Sequence, residues 1–173
     1  MEVSVEARGL DAAYVEHMDA NAAARVVALF EGRGQLDRLE DVDAGAPRAC
    51  LARGMDRLSA ASVLTDAKLW ESAFTSAYDA YRTAADAVVL SLGYRVPATP
   101  GGHRIATDIA HAAMKDATDA FSSAGAERFR QGRHESEYFD PGRPVDKTAG
   151  DAAWAFKLAT RAIDAVERLL SAG

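Results

Sequence analysis

One apolar periodicity constrains this chain more than any other feature, and it predicts a long helix over residues 70–92. Successive apolar residues are three or four positions apart, which places them on one face of an α-helix. Gly93 follows the pattern and favours termination there, because helices often end at a glycine. The helix must bury its apolar face against other elements. The residues of this face are Trp70, Phe74, Ala77, Tyr81, Ala84, Val88 and Leu92.

Upstream of the long helix, the sequence predicts two more helices. An apolar side over residues 18–31 ends at two glycines, and a second apolar face runs over residues 47–66 after a proline that suits a first helical turn. The short break near Lys68 indicates that the second helix and the long helix form an antiparallel hairpin. Apolar residues three positions apart also predict one or two helical turns between the first two helices. They are Leu36, Leu39 and Val42.

Downstream of the long helix, three further helices are predicted. One covers residues 103–114, a weaker one anchored by Phe121 and Phe129 covers residues 117–134, and the last covers residues 148–171. Alanine is the dominant residue, which favours helices because alanine loses no side-chain entropy on entering one. The sequence therefore predicts an all-α fold, an antiparallel bundle of four to five helices.

A linker divides the predicted helices into two groups. Residues 43–47 combine aspartate, glycine and proline, a composition typical of connections between elements. We therefore predict an N-terminal helical arm over residues 1–45 and a helical bundle domain over residues 46–173. A domain of this size can bury its own core.

Charge and composition exclude several functional classes. The formal net charge of −6 argues against a positive field over the whole surface, but not against a local basic patch. Cys50 is the only cysteine, so we expect neither a disulfide nor a cysteine-based metal site. The acidic residues 1–6 and the lack of an apolar run of about 20 residues predict no signal peptide and no membrane span. We expect a cytoplasmic protein.

Isolated polar side chains on the predicted helices offer little chemistry. His103 and His111 are eight residues apart, which is about 12 Å along a helix and too far for both to bind one metal ion. We interpret them as surface histidines and predict neither a metal site nor a cofactor. Tyr78 lies beside the apolar stripe of the long helix, where it either lines a pocket or packs in the core or in a dimer interface.

The strongest candidate site is the stretch of residues 127–138, which holds three arginines and a histidine within a few positions. Arginine presents a planar fork of donors that fits a phosphate group. Histidine transfers protons near neutral pH, as RNA cleavage requires. In the alternative interpretation, the arginines only form surface ion pairs with neighbouring glutamates. The basic residues are Arg128, Arg130, Arg133 and His134.

Several segments resemble the HEPN domains, the helical family named for higher eukaryotes and prokaryotes nucleotide-binding. Residues 76–87, Ser-Ala-Tyr-Asp-Ala-Tyr-Arg-Thr-Ala-Ala-Asp-Ala, are similar to the family's second helix. Gly102-His103-Arg104 resembles the start of its third helix, and Arg133-His-Glu-Ser-Glu-Tyr138 resembles its arginine-to-tyrosine or arginine-to-histidine signature. With the turn at Pro144 and the last helix, the resemblance spans residues 47–171.

The resemblance implies an all-α bundle that assembles as a homodimer. In catalytic members, an arginine and a histidine a few residues apart meet their copies across the dimer cleft. Those members are metal-independent ribonucleases, often toxins paired with a nucleotidyltransferase-type antitoxin. Other members bind nucleotides or proteins without catalysis.

Two alignments with the family signature compete. Arg128 and His134, with five residues between them, fit the catalytic spacing. Arg133 and Tyr138, with four residues between them, fit better by their neighbours but put a tyrosine where the catalytic histidine belongs. A tyrosine, with an ordinary pKa of about 10, is a poor general base at neutral pH. His134 would then have to act from the position next to Arg133.

We therefore predict a dimeric, non-catalytic domain that binds a nucleotide, RNA or a partner protein through a basic cleft. The alternative is a metal-independent ribonuclease that uses His134 with Arg128 or Arg133. The predicted binding residues are Arg130, Arg133, Tyr138 and Tyr78.

Overall fold

A computed structural model describes residues 18–138, 141–142 and 147–172, so the predicted turn at Pro144 and the first part of the arm lie outside it. The described chain forms six α-helices and one two-stranded ribbon, which confirms the all-α prediction. No helix in these ranges has the length and hydropathy to cross a membrane. The elements are α1 (Ala20–Gly32), β1 (Asp37–Arg38), α2 (Ala46–Asp66), α3 (Trp70–Ser91), β2 (Tyr94–Arg95), α4 (Gly102–Met114), α5 (Ser123–Glu137) and α6 (Ala149–Ser171).

The long helix predicted from periodicity is α3, and it is the centre of the bundle. α2 and α6 pack along it most extensively, and α4 and α5 also contact it. Lys68 has a φ of 59° and makes the turn between α2 and α3, and Gly93 follows α3 with a φ of 83°. The apolar face is buried from Phe74 to Val88, while Trp70 and Leu92 at its ends are half-buried. The three- and four-residue spacing therefore identified the core face correctly.

The helical turns predicted within residues 36–42 are wrong. Gly34, with a φ of 66°, follows the end of α1, and the chain then runs extended as β1. β1 pairs with β2 in antiparallel register, so that Asp37 lies opposite Arg95, whose Nη2 is 2.8 Å from the Asp37 carboxylate. This partner strand is 58 residues further along the chain. A local spacing of three resembles a helix, but it carries no information about a partner so far away.

The described part of the predicted arm packs directly on the bundle. The backbone N–H of Asp19 donates to the carbonyl of Ala113 at 2.8 Å, and Lys115 Nζ lies 3.1 Å from the Asp19 carboxylate. Val27 of α1 belongs to the same buried cluster as the bundle helices. These contacts join α1 to α4, although the division of the chain at the linker stays a prediction.

Aromatic side chains join α5 to α3 and α6. Phe129 of α5 is fully buried, and its ring centroid lies 4.8 Å from Tyr81, 4.9 Å from Trp154 and 5.6 Å from Phe74. One turn later, a Cβ atom at Gly132 would lie 2.7 Å from Phe74 Cε1, so only glycine allows this approach. The cluster therefore fixes the rotation of α5 and the direction in which its basic side chains point.

Candidate functional site

A groove of about 410 Å³ opens between α3, the start of α4 and the second half of α5. Its rim includes the loop that enters α4, where Gly101 has a φ of 86°, a backbone conformation that glycine adopts readily. Basic side chains from all three helices line it. They are Arg82 from α3, His103 and Arg104 from α4, and Arg130, Arg133 and His134 from α5.

Helical spacing explains why the basic groups converge. On α5, Arg130 lies one position after the buried Phe129, and Arg133 and His134 follow it after one turn on the same side. On α3, Arg82 lies four residues after Tyr78, so these two side chains also share a side. The aromatic cluster holds both helix faces toward the groove.

His103 connects α4 to α3 on the wall of the groove. Its Nδ1 lies 2.8 Å from Tyr78 Oη, and its Nε2 lies 2.7 Å from Arg82 Nη1. Burial raises the pKa of Tyr78, although the nearby Arg82 and Arg133 partly oppose that rise. The Tyr78 phenol is therefore uncharged at neutral pH and acts as a hydrogen-bonding group.

The groove carries more positive than negative charge. Asp79 is the one carboxylate among the described residues that line it. Two of the arginines face acids of their own helices at long distances: Arg82 Nε lies 3.8 Å from Asp86, and Arg104 Nε lies 3.6 Å from Asp108. Each guanidinium has five N–H donors, so one such contact leaves most of them available to a ligand. The groove is therefore a local basic patch on an acidic protein.

Four of the residues predicted for the site line this groove: Tyr78, Arg130, Arg133 and His134. Arg130 also pairs with Glu127, an acid of the kind that the surface interpretation expected. The structure therefore brings together the central basic residues of the predicted stretch and a tyrosine from α3.

Arg128 and Tyr138 lie elsewhere. The Arg128 Cζ stacks over the Trp154 ring at 3.9 Å, and its Nη2 lies 3.7 Å from Asp151. Tyr138 caps the end of α5 with 66% of its surface exposed, and its ring centroid is 4.7 Å from that of His134. Arg128 thus contacts α6, whereas Tyr138 contacts a groove residue without lining the groove itself.

Seven of the residues that line the groove were not among the predicted site residues: Asp79, Arg82, Thr99, Pro100, Gly101, His103 and Arg104. His103, interpreted as a surface histidine, is indeed exposed, but it also contacts two groove side chains. One sequence signal that could have identified them is the proline- and glycine-rich loop that directly precedes two basic residues in the first turn of α4. Another was the four-residue spacing of Tyr78 and Arg82 on α3.

The described residues contain no group of three or more histidine, cysteine, aspartate or glutamate side chains arranged to hold a metal ion. Cys50 lies half-buried on α2, where burial raises the pKa of its thiol to about 11. The thiol is therefore protonated at neutral pH and is a poor nucleophile. The described groove lining offers guanidinium, imidazole and phenol groups and the carboxylate of Asp79.

The sequence matches the HEPN domain family over residues 47–170. The chain belongs to this family. No curated protein and no solved structure matches the chain significantly. The three segments that carried the resemblance supply most of the residues that line the groove of this HEPN domain: they lie in the second and third helices of the matched region, α3 and α4, and in the Arg133 segment of α5. The competing alignments of the signature stay predictions.

Proposed function

We propose that this HEPN domain binds the phosphate groups of a nucleotide or of single-stranded RNA in the groove, without cleaving them. The observation that carries the proposal is the convergence of four arginines from three helices on one concave surface. Guanidinium groups donate paired hydrogen bonds to phosphate oxygens, and donors from different helices surround a phosphate more completely than a single helix does.

The volume of the groove and the helix terminus that faces it suit such a ligand. A volume of about 410 Å³ falls within the range of small-molecule sites, about 300–1,000 Å³, and accommodates one nucleotide unit. The first turn of α4, with His103 and Arg104, faces the groove, and the positive end of a helix dipole favours anions. The C-terminal end of α5 is the negative end of its dipole and disfavours anions. The positive charges of Arg130 and Arg133 on α5, and of Arg82 and Arg104 on the facing helices, outweigh this effect.

Structural ion pairing alone is a weaker explanation for these arginines. The pairs of Arg104 with Asp108 and of Arg130 with Glu127 lie within single helices at exposed positions. Exposed pairs of this kind contribute only about 0–1 kcal/mol to folding. A stability role of this size does not account for the gathering of arginines from three helices around one groove.

Titration with a fluorescent single-stranded oligoribonucleotide at increasing salt concentration tests the proposal. We expect binding that weakens with salt, because bound arginines release counterions from the RNA. A plot of log affinity against log salt should have a slope of about −0.7 for each phosphate contacted. A nucleoside without phosphate should not compete, whereas the nucleoside monophosphate should. Binding that is absent at low salt, or that is independent of salt, contradicts the proposal.

A second candidate function is metal-independent cleavage of RNA, and the position of His134 favours it. His134 lines the same groove as Arg133, so a proton-transferring group lies beside a phosphate-binding one. The test is incubation of the purified protein with single-stranded RNA in the presence of a chelator. Loss of cleavage in a His134→Ala variant that still binds RNA would support catalysis by His134. If the unaltered protein leaves the RNA intact, cleavage is contradicted and the binding function stands alone.

We also propose an oligomeric state and partners for this domain, and this proposal rests on the family resemblance. The resemblance implies a homodimer, with RNA or a nucleotidyltransferase-type antitoxin as the partner, and the cytoplasmic location expected from the sequence is part of the same proposal.

A further inference from the structure

The two contacts of His103 determine where its proton lies. A guanidinium group donates hydrogen bonds and never accepts them. Arg82 Nη1, at 2.7 Å, therefore donates to His103 Nε2, which must be unprotonated. A neutral imidazole then carries its hydrogen on Nδ1, which donates to Tyr78 Oη at 2.8 Å. The two distances thus select one neutral tautomer.

We propose that neutral His103 is a positioning residue of the groove: it holds the Arg82 guanidinium and turns the Tyr78 hydroxyl hydrogen toward the ligand. The proposal rests on the proposed phosphate-binding function and specifies how the site is organised. Because Tyr78 Oη accepts from His103, its own hydrogen is available for a phosphate oxygen. His103 thereby leaves the Tyr78 hydroxyl as a donor toward the groove, beside the donors of Arg82, and this pair suits a ligand that presents acceptors.

The surroundings of Arg82 explain why it needs such a partner. Its Nε atom is buried and has no hydrogen-bond partner among the described residues. The Asp86 carboxylate lies 3.8 Å from this atom, and burial raises the pKa of Asp86 against the opposing effects of Arg82 and Arg57. The hydrogen bond to His103 is therefore the contact that fixes the orientation of the Arg82 guanidinium. Without it, the guanidinium is free to turn toward Asp86 and away from the groove.

Most of the described charged groups around His103 are positive. A proton on Nε2 would point at an N–H group of Arg82 and would add a cation to a surface already crowded with cations. Asp79 is the one acid among the described lining residues, and it opposes this effect. Among the described residues that line the groove, the other charged or titratable groups are Tyr78, Asp79 and Arg82 from α3, Arg104 from α4, and Arg130, Arg133 and His134 from α5.

The first test is ¹⁵N NMR of the imidazole nitrogens in the ligand-free protein at neutral pH. We expect His103 to show a protonated Nδ1 and an unprotonated Nε2, whereas His111, exposed on the same helix, should show the Nε2–H form usual in water. An Nε2–H tautomer or an imidazolium at His103 overturns the inference. This result does not depend on any ligand.

The second test is a double-mutant cycle of binding to the same fluorescent oligoribonucleotide. We expect His103→Ala to weaken binding about tenfold, since the hydrogen bonds involved include a charged donor. His103→Gln should restore most of the affinity, because its Oε1 accepts from Arg82 in place of Nε2. In an Arg82→Ala background, His103→Ala should have a clearly smaller effect, and the part that remains is the loss of the oriented Tyr78 hydroxyl. His111→Ala is the matched control and should bind as the unaltered protein does.

The outcomes separate this inference from the proposed function. If the protein binds the oligoribonucleotide but the effects of His103→Ala and Arg82→Ala simply add, His103 does not act through Arg82 and only the inference fails. If His103→Gln is as weak as His103→Ala, the acceptor role fails. If the unaltered protein binds no phosphate-bearing ligand, the proposed function fails and the positioning role fails with it, whatever tautomer NMR finds.

Discussion

Replacing Phe129 with alanine should lower the free energy of unfolding by about 3–5 kcal/mol. Phe129 is fully buried, and four aromatic rings surround it, with centroid distances between 4.8 and 5.7 Å. Truncation removes its buried surface and leaves a cavity that rigid rings fill poorly. The neighbouring rings, on α3 and α6, are those of Phe74, Tyr78, Tyr81 and Trp154.

Denaturant unfolding followed by circular dichroism measures this loss. Phe129→Leu keeps part of the volume and should cost clearly less. Phe156→Ala is the matched control, because Phe156 is a half-buried phenylalanine on α6 outside this cluster, and its truncation should also cost less. A loss at Phe129 no larger than that at Phe156 would mean that α5 does not depend on the aromatic cluster.

The bundle could be predicted from the sequence because its helices repeat apolar residues at short range. The core face of α3, from Phe74 to Val88, follows directly from spacings of three and four. The ribbon of β1 and β2 could not be predicted, because each strand has two residues and its partner is distant in the chain. Short strands leave no periodicity to detect.

The groove was only partly predictable for the same reason. Arg130, Arg133 and His134 are neighbours on one helix, so their shared face follows from the sequence. Arg82 and His103 come from two other helices, and their contact depends on how α3 and α4 pack. Sequence periodicity gives the faces of single helices, but not which faces meet.

Helix geometry alone predicts that Arg128 and Arg133 point in different directions from α5, but it does not choose between the two alignments of the family signature. Residues five positions apart differ by about 140° in direction around an α-helix, so these two arginines cannot both face one groove. Arg130 and Arg133 differ by only about 60°. The structure places Arg133 in the groove and Arg128 against Trp154, as this geometry requires.

Arg133→Glu should weaken binding of the single-stranded oligoribonucleotide about 100-fold at low salt. The change removes charge-assisted hydrogen bonds to phosphate and places a negative charge on the groove wall. The salt dependence should also become shallower, because fewer counterions are released on binding. Fluorescence anisotropy at several salt concentrations measures both effects.

Arg128→Glu is the matched control for this prediction. It makes the same change of charge on the same helix, but at a side chain that stacks on Trp154 and faces Asp151. It should therefore lower stability, through lost stacking and added repulsion, while the affinity for RNA changes only a few-fold through long-range charge. Equal losses of affinity in the two variants would mean that RNA responds to the overall charge of α5 and not to the groove. A larger loss at Arg128 would favour the alignment of the family signature that pairs it with His134, and would move the binding surface toward α6.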